Sequence, residues 1–203
     1  MITVATLLWQ ANSHSQPFSA IYDENWVEKL YRGFARNLTV PFEFVCYTDR
    51  RRAFAEPVLQ RQIRSEAPSY ADCIQPYEMG TPMILVGLDT VVTGNCDHLA
   101  EYCLTADKIA LPRDPFKPSR ACNGVALVPA GQEGIADRHN GENDMEWLRE
   151  QPHAYIDNLW PGHVVSFKVH VKRDGLGDAR IVYFHGLEKP HEIDRLDILE
   201  HWV

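Results

Sequence analysis

MILVGLDTVV (residues 83–92) is a mostly apolar stretch that contains a single carboxylate, Asp89. Its first four residues are apolar, as in a buried strand, and Asp89 follows them. If a pair of acids at the end of this strand held a metal ion, a first acid would be expected before Asp89, but the residue two positions before it is Gly87. The stretch therefore predicts a buried strand that is followed by one acidic residue, Asp89, without a second acid beside it.

The segments on both sides of this stretch alternate between strand and helix patterns, which predicts an α/β fold with a largely parallel sheet. ITVATLLW (residues 2–9) and PFEFVCYTD (residues 41–49) are predicted strands. Between them, DENWVEKLYRGFARNL has apolar residues at helical spacing, and Asp23 is its predicted N-cap. Further strands are predicted in KIALP, NGVALVP, HVVSF and RIVYFHG, with helices in GENDMEWLREQ and the last ten residues.

Length and composition indicate one domain spanning residues 1–203. The hydrophobic fraction of 45% and the charged fraction of 24% are ordinary for a globular protein. No apolar run approaches the roughly 20 residues that cross a bilayer, and the first residues do not resemble a signal peptide. The five cysteines form no C-x-x-C pair, which is typical of free thiols. We therefore expect a cytoplasmic protein without a membrane span.

The net charge of −8 argues against a general attraction to nucleic acid or anionic membranes. A local basic segment nevertheless exists, because DRRRAFAEPVLQRQIR (residues 49–64) contains five arginines. We interpret this segment as a solvated helix face in preference to a surface that contacts phosphates.

Several familiar catalytic motifs are absent, among them the P-loop, the G-x-G-x-x-G fingerprint, the G-x-S-x-G elbow and H-E-x-x-H. What remains is a set of polar side chains at strand ends, where α/β sheets bind ligands. Asp89 and His185 together are ligands that favour manganese as the bound metal ion. Gly186 would let the backbone approach a phosphate, and Lys189 would balance the phosphate charge. Each of these residues alone also has an ordinary structural explanation.

The chain resembles the GT-A fold nucleotide-sugar glycosyltransferases, specifically the glycogenin-like group and its small bacterial and phage relatives. The matching segments are VATLLW, FVCYTD, LDTVV, NGVAL, LWPGHVVSFK and FHGLEKP, in that order. The H-G-x-x-K-P and W-P-G-x-V-V-S-[FY]-K segments are the most specific. The resemblance implies a Rossmann-like single domain with a mostly parallel central sheet flanked by helices. It also implies a location in the host cytoplasm if a phage encodes the chain.

The activity implied by the resemblance is retaining transfer of a hexosyl or pentosyl group from a nucleotide-sugar donor, usually a UDP-sugar. Asp89 and His185 correspond to ligands of Mn2+ or Mg2+, and Lys189 to the residue that binds the diphosphate. The catalytic residues carried over are Asp144, Asp89 and Lys189. The donor-binding residues carried over are Thr6, Trp9, Thr48, Asp49, Leu88, Asp114, Asn123, Gly124, Lys168, Gly186 and Lys189.

The resemblance also gives these residues individual roles. Thr48 and Asp49 correspond to the end of a strand that contacts the nucleobase, and Asp114 to a residue that binds sugar hydroxyls. Asn123 lies in the segment near the donor sugar. Asp144 corresponds to a position beside the anomeric carbon, and a structural role at a helix N-terminus is an equal alternative.

Two positions depart from the family pattern: Gly87 replaces the first acid of Asp-x-Asp, and Met145 replaces a glutamine. The metal ion could bind through Asp89, His185, the donor pyrophosphate and water, or be recruited only with the donor. In the third alternative, catalysis relies on Lys168 and Lys189 instead. The first two are favoured because Asp89 and His185 are both present.

The acceptor is open, and a glycan, a small molecule and modified DNA are all compatible with the sequence. One alternative function is a phage-type transferase acting on hydroxymethylated DNA bases, with the arginine segment as its contact surface. Another is a catalytically impaired protein that only binds nucleotide sugars.

Overall fold

The computed structural model describes residues 1–203 and has strands, α-helices and single helical turns throughout. The strands are β1 (Ile2–Leu8), β2 (Phe42–Thr48), β3 (Val58–Gln62), β4 (Met83–Val86), β5 (Thr90–Val92), β6 (Ile109–Leu111), β7 (Val125–Val128), β8 (His153–Tyr155), β9 (Val164–Ser166) and β10 (Ile181–Tyr183). The α-helices are α1 (Glu24–Asn37), α2 (Asp97–Thr105), α3 (Gly134–Asp137), α4 (Asp144–Glu150), α5 (Ile156–Leu159), α6 (Lys172–Asp174) and α7 (Leu196–Leu199). Segments of 3-10 helix are Pro17–Ile21, Tyr70–Met79 and Pro190–Glu192, and a π-helical turn is Phe167–Val171.

A seven-stranded sheet forms the centre of the molecule, in the order β3-β2-β1-β4-β7-β6-β8. Its strands are parallel except for β7, which runs antiparallel to both β4 and β6. A second sheet has the order β5-β10-β9. Apolar side chains cover both faces of the large sheet, as a mostly parallel sheet requires. The prediction of an α/β domain with a mostly parallel sheet flanked by helices is confirmed.

The apolar pattern of MILVGLDTVV suggested one strand, but the structure divides the stretch into two. The segment β4 pairs with β1 and β7 in the large sheet, whereas β5 pairs with β10 in the small one. The turn between them is held at both ends, because the Gly87 N–H donates to the Gly124 carbonyl at 3.2 Å and the Phe184 N–H donates to the Asp89 carbonyl at 3.0 Å. Asp89 is therefore fixed at the junction of the two sheets.

The helix α1 begins where the sequence predicts. The Asp23 side chain accepts a hydrogen bond from the Asn25 N–H at 3.1 Å, so it caps the helix. The apolar face of α1 is buried, and Gly33 on that face allows Val92 of β5 to lie close to the helix backbone. This helix consequently links the large sheet to the small one.

The arginine segment is not a helix, which corrects our interpretation. It contains an irregular stretch and the edge strand β3, whose last four residues are exposed. Arg52 is buried and binds Glu24 at 2.9 Å and Asp49 at 2.8 Å, while Arg64 pairs with Glu78. The five arginines therefore form no common helical face.

Other elements extend or shorten the predictions. The 3-10 segment Tyr70–Met79, with a capping box from Ser69 and Asp72, is an element that the sequence patterns did not indicate. Only one helical turn, α7, forms within the last ten residues. The chain contains no helix with the length and apolar character needed to span a bilayer.

Candidate functional site

A cavity of about 470 Å³ opens at the edge of the large sheet. Its wall is made by the carboxyl ends of β1 and β4 and by the start of β7, which reaches the same edge because it is antiparallel. The residues after β10 complete the wall from the small sheet. This location agrees with the general position of ligand sites in open α/β sheets.

Most of the predicted site residues line this one cavity, although they are far apart in the sequence. Those on the cavity wall are Thr6, Trp9, Leu88, Asp89, Asp114, Asn123, Gly124, Asp144, His185, Gly186 and Lys189. Thr48, Asp49 and Lys168 are outside its lining.

The centre of the site is an ion pair between the Lys189 ammonium and Oδ2 of Asp89. The Lys189 side chain is 2% exposed, and its Nζ lies 4.6 Å from the centroid of the Phe18 ring. The Tyr22 hydroxyl donates to the same Asp89 oxygen at 3.0 Å. Burial, and after it the Asp89 charge, raises the pKa of Tyr22, which keeps its hydroxyl protonated as a donor. A buried cation is thus held in place by one carboxylate and an aromatic surround.

His185 lies on the same wall but has partners of its own. Its Nε2 is 2.8 Å from the Ser166 hydroxyl, and its ring packs edge-on against Phe116 with 5.2 Å between ring centroids. Burial, followed by the charge of Lys168, lowers the pKa of His185, which favours the neutral imidazole. Nowhere in the chain do three or more His, Cys, Asp or Glu side chains form a group able to hold a metal ion.

Asp144 is a second carboxylate that lines the cavity. It is the first residue of α4, while the N-cap itself is Asn143, so Asp144 does not cap its helix. Only 7% of Asp144 is exposed, and Asn123 donates a hydrogen bond to its Oδ2. Burial raises the pKa of Asp144 from 3.8 to about 6, against the opposing effect of hydrogen bonds from the Met145 N–H, Asn123 and Cys73.

Asp114 was expected to bind sugar hydroxyls, but its carboxylate already has four donors. Oδ1 accepts from the Phe116 and Lys117 N–H groups at 3.0 and 3.2 Å, and Oδ2 accepts from Arg120 and Arg149 at 2.9 and 3.1 Å. Burial opposes ionisation, but these hydrogen bonds outweigh it and lower the pKa of Asp114. We therefore interpret Asp114 as the residue that organises the proline-rich loop at the cavity wall.

The predicted nucleobase contacts are also engaged elsewhere. Asp49 accepts from the Gln10 N–H at 3.0 Å and from Arg52 at 2.8 Å, and Thr48 is buried outside the cavity lining. Inside the cavity, the Thr6 hydroxyl donates to the Val86 carbonyl at 2.9 Å, which is a structural bond between neighbouring strands. Asp49 is paired with Arg52 and lies outside the cavity lining, so the structure does not bring it together with the other predicted site residues.

Sequence patterns did not single out the aromatic residues around the ion pair. These are Phe18 and Tyr22, from the segment between β1 and α1. Tyr70 and Cys73, from the 3-10 segment after β3, line the same cavity and were also not predicted. The one local indication that Tyr22 is packed is its position directly before the helix cap at Asp23, since residues there often pack against their own helix. Nothing local indicates that its hydroxyl reaches Asp89.

Comparison with known proteins gives similarity at the level of structure. No protein-family model and no curated protein matches the sequence. The glycosyltransferase GlyE of Streptococcus pneumoniae TIGR4 matches 99% of this chain with a TM-score of 0.63 and 14% identity. The bifunctional glycosyltransferase WbbM matches 100% of this chain with a TM-score of 0.66 and 9% identity. The galactosyltransferase LgtC, solved with donor and acceptor sugar analogs, matches 95% of this chain with a TM-score of 0.56 and 8% identity.

The chain has a GT-A glycosyltransferase fold. It spans 60% of the GlyE chain and 49% of the WbbM chain, so both of those proteins extend well beyond the part it matches. It covers 90% of the LgtC chain. Identities of 8–14% relate folds, and the reaction must be argued from the site itself.

Proposed function

We propose that the protein is a glycosyltransferase that takes a sugar from a nucleoside diphosphate donor, a UDP-sugar being our first candidate, and transfers it with retention of configuration. The observation that carries the proposal is the buried Lys189–Asp89 pair on the wall of a cavity at the ligand-binding edge of the sheet. A fixed cation in such a place suits a diphosphate leaving group. The acceptor is unassigned.

The geometry suits different residues of the cavity to different parts of the donor. Glycosyl transfer passes through an oxocarbenium-like state in which negative charge builds up on the diphosphate. Lys189 stabilises that charge, and Asp89 orients its ammonium. Asp144 and Asn123, which are hydrogen-bonded to each other and line the same cavity, are suited to contact the sugar. Tyr22 and Phe18 help to exclude water from the reacting bond.

The family pattern predicts a divalent cation at Asp89 and His185, where it would supply the same charge stabilisation if bound. The residues present do not fit that group well. Asp89 already has an ammonium and a phenol as partners, and His185 has the Ser166 hydroxyl. We therefore derive no step of the reaction from a metal ion.

The two alternative functions make different demands on the structure. A protein that only binds nucleotide sugars needs the cavity but not the reaction, so donor hydrolysis separates it from an enzyme. A DNA acceptor was inferred from the arginine segment. Arg52 of that segment is buried in ion pairs with Glu24 and Asp49, whereas Arg51 and Arg61 are exposed, so a gel shift with duplex DNA separates this alternative.

The proposal is tested with a thermal-shift panel of UDP-, GDP- and dTDP-sugars, with and without Mn2+. We expect at least one nucleotide sugar to raise the unfolding temperature of the wild type, because a ligand that binds only the folded state stabilises it. The same donor should stabilise Lys189→Met less than the wild type. Lys172→Met is the matched control, since Lys172 also pairs with an acid but is 48% exposed. Failure of every donor to stabilise the wild type contradicts the proposal.

A further inference from the structure

We infer that this protein binds the donor diphosphate without a divalent cation, and that the Lys189 ammonium takes the cation's place. The inference rests on the proposed function and concerns its electrostatics. Its first observation is that the acid missing at Gly87 is not replaced by another acid from elsewhere in the chain. A Cβ added at Gly87 would lie 3.1 Å from Oδ1 of Asp89. An acidic side chain at this position would therefore lie beside Asp89. Because the residue is glycine, the chain has no carboxylate there.

The second observation concerns charge. A hard divalent ion depends on charged oxygen ligands, and Asp89 is the one carboxylate at this place. Its charge is matched by Lys189, so the pair is close to neutral. Lys168 is also near, because its Nζ lies 3.4 Å from the position of a Cβ on Gly186. Although Lys168 is outside the cavity lining, its charge adds to that of Lys189, so both ammonium groups would repel an incoming metal ion and attract a diphosphate.

The third observation is that the Lys189 ammonium is already desolvated and fixed. Its side chain is 2% exposed, and the rings of Phe18 and Tyr22 lie 4.6 and 5.6 Å from Nζ. A buried charge interacts more strongly with a phosphate than a solvated one does, and little has to be reorganised at the moment of binding. Asp89 thus acts as a positioning residue for Lys189 and not as a metal ligand.

Calorimetric titration with UDP, GDP and dTDP tests the inference, first with EDTA and then with Mn2+. For the nucleotide that binds, we expect dissociation constants within about twofold of each other in the two conditions. Lys189→Met should weaken binding about tenfold or more in both, because a charge-assisted contact is lost. The double variant Asp89→Asn/Lys189→Met leaves no unpaired buried charge, and it should show the same loss if the single variant folds poorly.

A gain-of-function variant provides the sharpest contrast. Gly87→Asp restores a carboxylate pair, and Gly87 lies in an exposed position whose Cβ direction meets no group other than Asp89. We expect Gly87→Asp to bind Mn2+ alone, measured by electron paramagnetic resonance of the free ion, while the wild type leaves the free-ion signal unchanged. The variant should also bind the nucleotide more weakly in EDTA than in Mn2+.

The outcomes separate the two proposals. Binding of a nucleotide by the wild type only when Mn2+ is present overturns the inference and leaves the proposed function intact. Binding of Mn2+ alone by the wild type also overturns it. If no nucleoside diphosphate binds in either condition, the proposed function fails and the inference fails with it.

Discussion

Asp144 is a buried carboxylate whose protonation is coupled to folding. Burial raises its pKa from 3.8 to about 6, so the folded state holds this proton more tightly than the unfolded chain. Stability from this group is therefore fully present below about pH 4, falls as the pH rises towards about 6, and is constant above that. The deep position of the carboxylate makes the effect large.

We predict that Asp144→Asn removes this pH dependence. Between pH 4 and pH 7 the wild type should lose about 3 kcal/mol of unfolding free energy relative to the variant, since the pKa rises by about two units. Asn123 can still donate to the amide oxygen of the variant, so packing is preserved. Denaturant unfolding of both proteins across this pH range is the measurement. Parallel curves for the two proteins would contradict the assignment.

At the level of single residues, the sequence led to the right part of the molecule more often than to the right contacts. Asp89, His185 and Lys189 were predicted from strand ends, and they do line one cavity because parallel strands bring their carboxyl ends to one edge. The contacts of Asp49 could not be predicted, because its partner Arg52 was assigned to a helix face. Tyr22 was missed because its bond to Asp89 is purely tertiary.

At the level of secondary-structure elements, Arg52 fastens α1 to the end of β2. Its side chain is 3% exposed and bridges Glu24 at the start of the helix and Asp49 after the strand. Removing one partner of a buried ion pair leaves an uncompensated charge. The bridge therefore has a larger effect on stability than a surface ion pair.

We predict that Arg52→Met lowers the unfolding free energy by about 3 kcal/mol. Arg50→Met is the matched control, because Arg50 contacts the same Asp49 but its side chain is 53% exposed, and we expect a change below about 1 kcal/mol. Urea denaturation of the three proteins gives both values. Equal losses in the two variants would show that the bridge has no special role.

Strand prediction from apolar runs succeeded for most strands and failed at one sheet boundary. The apolar runs predicted every strand except β3 and β8. Those two strands were not predicted because neither has a buried residue. The runs could not show that MILVGLDTVV supplies β4 to one sheet and β5 to another, because both halves are buried and equally apolar. The break is set by long-range pairing with β7 and β10.

At the level of the whole molecule, charge bears on the choice of acceptor. The net charge is −8, and in the arginine segment Arg52 and Arg64 pair with acids. Duplex DNA binding draws on phosphate contacts from free lysines and arginines. The fold therefore offers little that would attract a duplex.

We predict no shift of duplex DNA carrying hydroxymethylated cytosine in a gel at low salt and micromolar protein. Low salt favours any electrostatic contact, so it is the most permissive condition. A shift that weakens with salt and is lost in the double variant Arg51→Ala/Arg61→Ala would favour a DNA acceptor instead. Both of these arginines are exposed.

The most direct measurement is the release of nucleoside diphosphate from the nucleotide sugar that stabilises the protein best, followed with wild type and with Lys189→Met. Many transferases slowly hydrolyse their donor when no acceptor is present, so the assay needs no knowledge of the acceptor. We predict hydrolysis by the wild type and by the control Lys172→Met, with a loss of about 100-fold in Lys189→Met. Absence of hydrolysis by the wild type with every donor, or equal rates in wild type and Lys189→Met, would contradict a glycosyltransferase site built around this lysine.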